Sequence, residues 1–443
     1  MKYGQTILNF IAAHIVLLLI ISGAAYLRFT QLETHTIFFG DAGKDLFRSY
    51  AAYTSGTLPL TGIESSRPYL HQGPLSTWLS MLTFAFAGTS THAQAIVFAF
   101  MSMLAVIALY ELSINYLQKW VAYAATVLMS VFPLAVAHAR MPYHTTLIPL
   151  AFVFFLWSAY RLFEAQTAKN ILLFICCWAV LCMTELSNIP LLLLGVIPFI
   201  PNVLRWRKHT LSGITSFSAA QVPVALDQFY AFAARIGSIS GSLVTAVLSG
   251  LAVITWIHTL QNKSKIPTLI RVTLYSGLIL LAAYLVNGQV SEAYMPPFFV
   301  IGALLSAYGL HVISTQNSIK TAVTLLVILY ALGTGYSIHR TNFFVGTQPF
   351  AYESTGELQK IAGTLAALTQ GKPYQLLTQS RIEERIPSYF DNLKWILYEK
   401  EISLPGTTGK RFFLLPHTEL PPRDLYLVQS FTTQKLYIEL SEL

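Results

Sequence analysis

Long apolar runs recur along this chain from Ile7 to about residue 338. They are Ile7–Leu27, Ala93–Ser113, Trp120–His138, Thr146–Phe163, Ile171–Thr184, Ile189–Leu204, Leu211–Leu226, Gly241–His258, Val272–Val286, Pro296–Ile313 and Thr321–Ser337. An α-helix needs about 20 apolar residues to cross a bilayer's hydrocarbon core, and most of these runs approach that length. Leu211–Leu226 is the weakest, being short and rich in Ser and Thr. Pro74–Ala87 is apolar too, but at about 14 residues it is short for a span and better suited to lying along the membrane surface. Composition agrees. Charged residues make up 11% of the chain and hydrophobic ones 54%, whereas a soluble domain carries about 25% charge. About eleven transmembrane helices are expected, the first of them uncleaved. The run after Lys2 is too long for a signal peptide's apolar region, and no clear small-residue cleavage site follows it.

Charge tests this arrangement through the excess of Lys and Arg in cytoplasmic connections. With Lys2 inside and strict alternation, the inside connections carry Lys119; Lys169; Arg205, Arg207 and Lys208; Lys263, Lys265 and Arg271; and Lys320. The short outside connections carry only Arg140 and Arg235. The net charge of +8 is thus a topological signal. It forms no dense basic stripe, and no nucleic-acid partner is expected. Cys176, Cys177 and Cys182 share one apolar run, so they read as buried thiols rather than a disulfide or zinc framework.

Two outside segments are long. One is the first loop, residues 28–92. The other is the tail, residues 339–443, and the chain is divided accordingly into a membrane domain, 1–338, and a small C-terminal α/β domain, 339–443. In the tail, "STGELQKIAGTLAAL" reads as an amphipathic helix with Ser354 as N-cap and Glu357 completing a capping box. "PYQLLTQS" and "RFFLLP" read as strands, with "SYFDNLKWILYEKE" as a helix between them.

The outside segments hold the residues with chemical potential. In "GDAGKDLFRSYAAYTSG" a helix is expected from Asp41 to Ser55, closed by Gly56. Asp41 is either a plain N-cap or a carboxylate at the membrane surface placed to act as a general base. Asp45, one turn on, either pairs with Lys44 or Arg48 on a solvated face or assists Asp41. In "SSRPYLHQGPLSTWLSML" Pro74 fits the first position of a helix, and Leu75, Trp78, Leu79 and Leu82 form an apolar stripe. Arg67, Tyr69, His71 and Gln72 precede it, as interfacial anchors or as phosphate and sugar contacts. Arg140, Tyr143 and His144 cluster in the second outside connection, as solvated residues or as substrate contacts. Glu185 and Asn188 end a span, where an acid is either functional or simply interfacial. The chain carries no Walker loop, dinucleotide fingerprint, HExxH or GxSxG motif.

From Ile7 to about Leu162 the chain resembles the GT-C superfamily of polytopic glycosyltransferases, specifically the bacterial relatives of protein O-mannosyltransferase and aminoarabinose transferase. The resemblance rests on the first span, the loop Asp41, the interval to Gly56, Pro59, and "HQGPLSTWL" opening an apolar segment. It implies a GT-C fold and a polyprenyl-phosphate sugar donor. It also implies an envelope glycan, lipid or protein as acceptor, and an active site and tail on the extracytoplasmic side of the cell membrane. Asp41 takes the position of the family's loop acid, which activates or positions the acceptor hydroxyl; Asp45 is the second choice. Lys44, Arg67, His71 and Arg140 are candidates to stabilise the departing lipid phosphate. The chain departs from the pattern in two places. His144 stands where many relatives have a second acid, and "TELSN" where many have a Lys. With one acid favoured, no essential metal is expected, a divalent ion being the less favoured alternative. The competing readings are a multi-pass transporter or lipid flippase, and a catalytically degenerate envelope protein.

Overall fold

In the computed structural model, the described residues are 2–38, 40–64, 71–199, 250, 257, 266–287, 292–314, 317–345, 353–377, 389–406, 408–416, 425–431 and 434–439. The protein is mainly α-helical and multi-pass. Among the described residues, five helices are long and apolar enough to cross a bilayer, or six if a bent pair counts as one span. The expected spans Leu211–Leu226 and Gly241–His258 fall outside the described residues, apart from Gly250 and Ile257. The chain divides into two compact units.

The first unit comprises Met1–Arg28, Phe100–Val136 and His144–His339. Its helices match the apolar runs closely, as with Pro296–Ile313 and Thr268–Asn287. Two expectations are corrected. The run Trp120–His138 is two helices, Lys119–Val131 and Pro133–Ala139, bent by 61°. Pro133 lacks an N–H and disfavours helical backbone in the residue before it, and Phe132 is extended, at φ −60° and ψ 121°. The run Ile189–Leu204 does not continue as an α-helix where it is described. It is 3₁₀ over Leu186–Gly195 and Ile197–Phe199, with Pro190 and Pro198 each removing a donor from the i−4 ladder.

Arg28, expected to open the first loop, is fully buried at the end of the first helix, Lys2–Phe29. Its guanidinium donates to Ser102 Oγ (3.1 Å), Ala24 O (3.2 Å) and Ser130 O (2.9 Å). A charge enclosed in this way is tolerated because its N–H groups meet oxygens.

The second unit comprises Phe29–Ala99, Ala137–Tyr143 and Arg340–Leu443. The first loop and the tail fold together within it. Strand β1 (Ile37–Phe38) pairs antiparallel with β2 (Glu353–Ser354), Ile37 opposite Ser354. Ser354 caps the helix Thr355–Thr369 by accepting the Glu357 N–H at 3.2 Å. A four-stranded sheet follows in the order β3-β4-β6-β5. Tyr374–Leu377 (β3) runs parallel to Lys410–Pro416 (β4), with the helix Tyr389–Glu399 on the crossover between them, the connection that a parallel pair requires. Leu425–Ser430 (β5) and Gln434–Glu439 (β6) complete the sheet as an antiparallel hairpin.

The loop contributes the helices Ala42–Ser55 and Leu75–Ala87. In the second, Pro74 is the N-cap rather than the first helical residue. Its buried face is Ser76, Thr77, Ser80, Thr83 and Phe84, while Leu82 is 55% and Phe86 83% exposed. Small hydroxyl residues therefore face the unit, and the large apolar side chains at Leu82 and Phe86 face outward, which suits an apolar surrounding.

Candidate functional site

The start of helix Ala42–Ser55 is built from both ends of the second unit. Gly40 takes the left-handed backbone (φ +53°) that turns the chain into the helix, and Asp41 occupies the N-cap position. An N-cap side chain ordinarily accepts an N–H from one of the next three residues. Asp41 makes no such bond. Asn392, from the tail helix Tyr389–Glu399, does so instead. Its Oδ1 accepts the Gly43 N–H at 2.7 Å, and its Nδ2 donates to Gly40 O at 3.4 Å. Gly43 permits this approach, because a Cβ there would lie 2.4 Å from Asp391 O. The Asp41 carboxylate is half-buried and forms no hydrogen bond or ion pair with a described residue.

Asp45 differs from expectation. It is 2% exposed and lies on the inward face of the helix, where Thr77 Oγ1 donates to its Oδ1 at 3.3 Å. Arg48 turns instead to Thr61, donating to its carbonyl and hydroxyl at 3.1 and 3.0 Å, and Lys44 is exposed. The i+4 spacing from Asp41 is real, yet Asp45 packs against a neighbour while Asp41 stays half-buried at the helix start.

The same tail helix caps a second element. Glu399 accepts the N–H and hydroxyl of Thr91, at 3.1 and 2.5 Å, at the start of helix Thr91–Tyr116. Trp395, between Asn392 and Glu399 on one face, donates from Nε1 to Thr91 Oγ1 at 2.9 Å. Spacings of three and seven residues put all three on one stripe.

Arg140 is enclosed rather than solvated. Nη2 donates to Thr30 O at 2.9 Å and to His35 O at 3.4 Å, and the guanidinium lies 4.3 Å from the centre of the Phe343 ring. Burial pushes its pKa down to about 9, which still leaves it charged at neutral pH. Burial also lowers the pKa of His35, which bonds Asn342 Oδ1 at 2.8 Å. Tyr143 is buried, with its hydroxyl beside Gly40. His71 is exposed and bridges Glu64 through its backbone; Gln72 is half-buried. Arg67 and Tyr69 lie outside the described residues.

In the first unit, His144 and Glu185 come together. Nε2 and Oε2 are 3.0 Å apart, and the residues are 1% and 2% exposed. Their meeting follows from hairpin arithmetic. Helices Ile148–Glu164 and Ala168–Thr184 have 17 residues each and are joined by a short turn, so the approach to one lies level with the exit of the other. Glu185 also begins the 3₁₀ segment, its Oε1 accepting the Ser187 N–H at 3.3 Å, while Asn188 Nδ2 donates to its carbonyl at 3.0 Å. The His144 imidazole thus lies against an acid supplied by the next segment. Substituting His144→Gln and Glu185→Gln singly and together should give a coupling energy of about 0.5–3 kcal/mol in detergent unfolding; strictly additive losses would show that the pair is no energetic unit.

The first unit also holds a cavity of about 860 Å³ among Leu19, Gly23 and Leu27 of the first helix, Val127, Val327 and Ala331. Its walls are almost wholly apolar, and Tyr26 and His339, hydrogen-bonded at 3.1 Å, border it. Among the described residues no three His, Cys, Asp or Glu side chains gather as a metal-binding group.

A family model described as dolichyl-phosphate-mannose-protein mannosyltransferase matches residues 71–226. No curated protein matches the chain. Among solved structures, the fold is similar to ArnT from Cupriavidus metallidurans bound to undecaprenyl phosphate, with a TM-score of 0.58 and 11% identity over 96% of this chain and 98% of that one. The apo state of the same enzyme gives 0.56 and 12% over 97% and 99%. The archaeal oligosaccharyltransferase AglB from Archaeoglobus fulgidus, in complex with an inhibitory peptide and a dolichol-phosphate, gives 0.51 and 10% over 90% and 69%. The chain thus shares the fold of these structures along nearly its whole length, and the segment 71–226 within it is similar to the mannosyltransferase family.

Proposed function

We propose that the protein transfers a sugar from a polyprenyl-phosphate donor to a hydroxyl of an extracytoplasmic acceptor (an envelope glycan, a lipid or a protein), with Asp41 as the base. The observation that carries the reading is the Asp41 carboxylate. It stands at a helix start, yet capping falls to Asn392, so the acid is left available to a substrate. The fold supports the choice of donor, since one similar structure holds undecaprenyl phosphate and another dolichol-phosphate. The apolar cavity of the first unit suits an isoprenoid chain in size and lining.

In this reaction Asp41 takes the proton of the acceptor hydroxyl as its oxygen forms a bond to the anomeric carbon. The bond from that carbon to the phosphate oxygen breaks, and its electron pair leaves with the lipid phosphate. The growing negative charge needs cationic or N–H donors. Lys44 and His71, both exposed, are the described residues of the loop suited to this. Asp45 supports the helix through Thr77, and Arg140 supports the loop through Thr30 and His35.

Incubation of the purified protein with a panel of polyprenyl-phosphate sugars tests the reading, with loss of the donor as the readout. Consumption of one donor with release of the lipid phosphate supports it; transport of an intact lipid without hydrolysis or transfer overturns it. Transfer is expected to proceed without an essential metal. Activity should survive EDTA, and activity that returns only on adding Mg²⁺ or Mn²⁺ would contradict that expectation.

A further inference from the structure

We infer that Asn392 is a positioning residue for the reaction, which holds Asp41 in its working state by capping the Ala42–Ser55 helix in its place. The inference rests on the proposed role of Asp41. Three observations converge. Asn392 is 3% exposed and grips the backbone on both sides of Asp41, through Gly43 N–H and Gly40 O. The Gly43 amide it occupies is among those an N-cap carboxylate would otherwise take. And the contact is built in, because Gly43 has no Cβ to hold the tail helix away.

The chemical consequence concerns basicity. A carboxylate that accepts helix N–H groups is stabilised in its ionised form, so its pKa falls and it becomes a weaker base. Asn392, being neutral, satisfies the amide without adding charge beside Asp41. The titratable and charged groups on the elements packed here are Lys44, Asp45, Arg48, Tyr50 and Tyr53 on the helix itself, Tyr389, Asp391, Lys394, Tyr398 and Glu399 on the tail helix, and His138, Arg140 and Tyr143 on the segment Ala137–Tyr143. Asp391 and Lys394 pair with each other at 3.8 Å.

The test is the pH profile of kcat for the full-length protein in proteoliposomes, using the donor that the wild type consumes. In Asn392→Ala, Asp41 is free to turn onto the vacated amide. The acidic limb should move to lower pH, and kcat should fall by at least about tenfold with KM little changed. In Asn392→Asp the acceptor oxygen is kept but a negative charge is added, so the limb should move to higher pH. Opposite shifts are something a merely structural role would not produce. If Asn392→Ala does not fold, Asn392→Asp still decides through the direction of its limb. Limbs at the wild-type position, with activity lost only in proportion to folded protein, would overturn the inference. A failure of the underlying reading looks different: Asp41→Asn itself would retain transfer.

Discussion

Asp41→Asn should abolish sugar transfer while leaving the protein expressed and folded. A positioned general base contributes about 10²–10⁴-fold to rate, so residual activity should fall to that extent or below detection. The substitution is nearly isosteric. Asp41 is half-buried and makes no cap or ion pair whose loss would unfold the helix, and Asn is itself a good N-cap. Stability should therefore stay near wild type. Asp45→Asn should reduce transfer less. Asp45 is enclosed and accepts from Thr77, so the change falls on helix packing, and an amide there can keep that bond through its oxygen. Near-normal transfer by the Asp41 variant, or a greater loss at Asp45, would reassign the base.

Trp395→Ala should be strongly destabilising, at about 3–5 kcal/mol for a fully buried large aromatic. Trp395 is fully buried, with ring centres 5.1 Å from Phe47 edge-on and 5.8 Å from Phe84, and its Nε1 serves Thr91. Truncation opens a cavity between loop and tail helices and leaves the Thr91 hydroxyl bonded only to Glu399. Trp395→Phe keeps much of the packing and should cost only the indole hydrogen bond, about 1–3 kcal/mol. Denaturant unfolding followed by aromatic fluorescence or circular dichroism distinguishes the two. Because the same helix carries Asn392, transfer should fall with stability in the alanine variant. Equal stability of the alanine and phenylalanine variants would contradict this account of the packing.

Much of the fold could be read along the chain, because helix spans and caps are local. Pro296–Ile313 appears with the bounds its apolar run suggests, and Ser354 caps as its spacing to Glu357 indicates. Asp41 at the head of a loop helix was equally readable. Inside the apolar runs, the prolines carry what hydropathy does not. Pro133 bends one expected span, while Pro190 and Pro198 mark the 3₁₀ geometry of another. Hydropathy averages over such residues, whereas backbone geometry does not. The pairing of His144 with Glu185 was available from the equal lengths of two helices and their short connection.

What could not be read is carried by contacts between distant segments. Asn392 and Gly43 are 349 positions apart, and Trp395 and Thr91 are 304 apart. Nothing local in "SYFDNLKWILYEKE" says that Asn392, Trp395 and Glu399 face two helix starts. Burial inverted other expectations. Arg140 and Asp45 are charged residues in polar stretches, the pattern of solvated side chains, and both are enclosed. Their hydrogen bonds to Thr30, His35 and Thr77 compensate the loss of water.

The central claim is that this chain moves a sugar from a lipid phosphate using the Asp41 carboxylate. Wild type and Asp41→Asn, each reconstituted in liposomes with a labelled polyprenyl-phosphate sugar and a crude envelope acceptor fraction, test it together. The account predicts that the wild type passes label to acceptor and releases the free polyprenyl phosphate, and that the folded Asp41 variant does neither. Equal transfer by both proteins, or no consumption of any donor by a folded wild type, would contradict it.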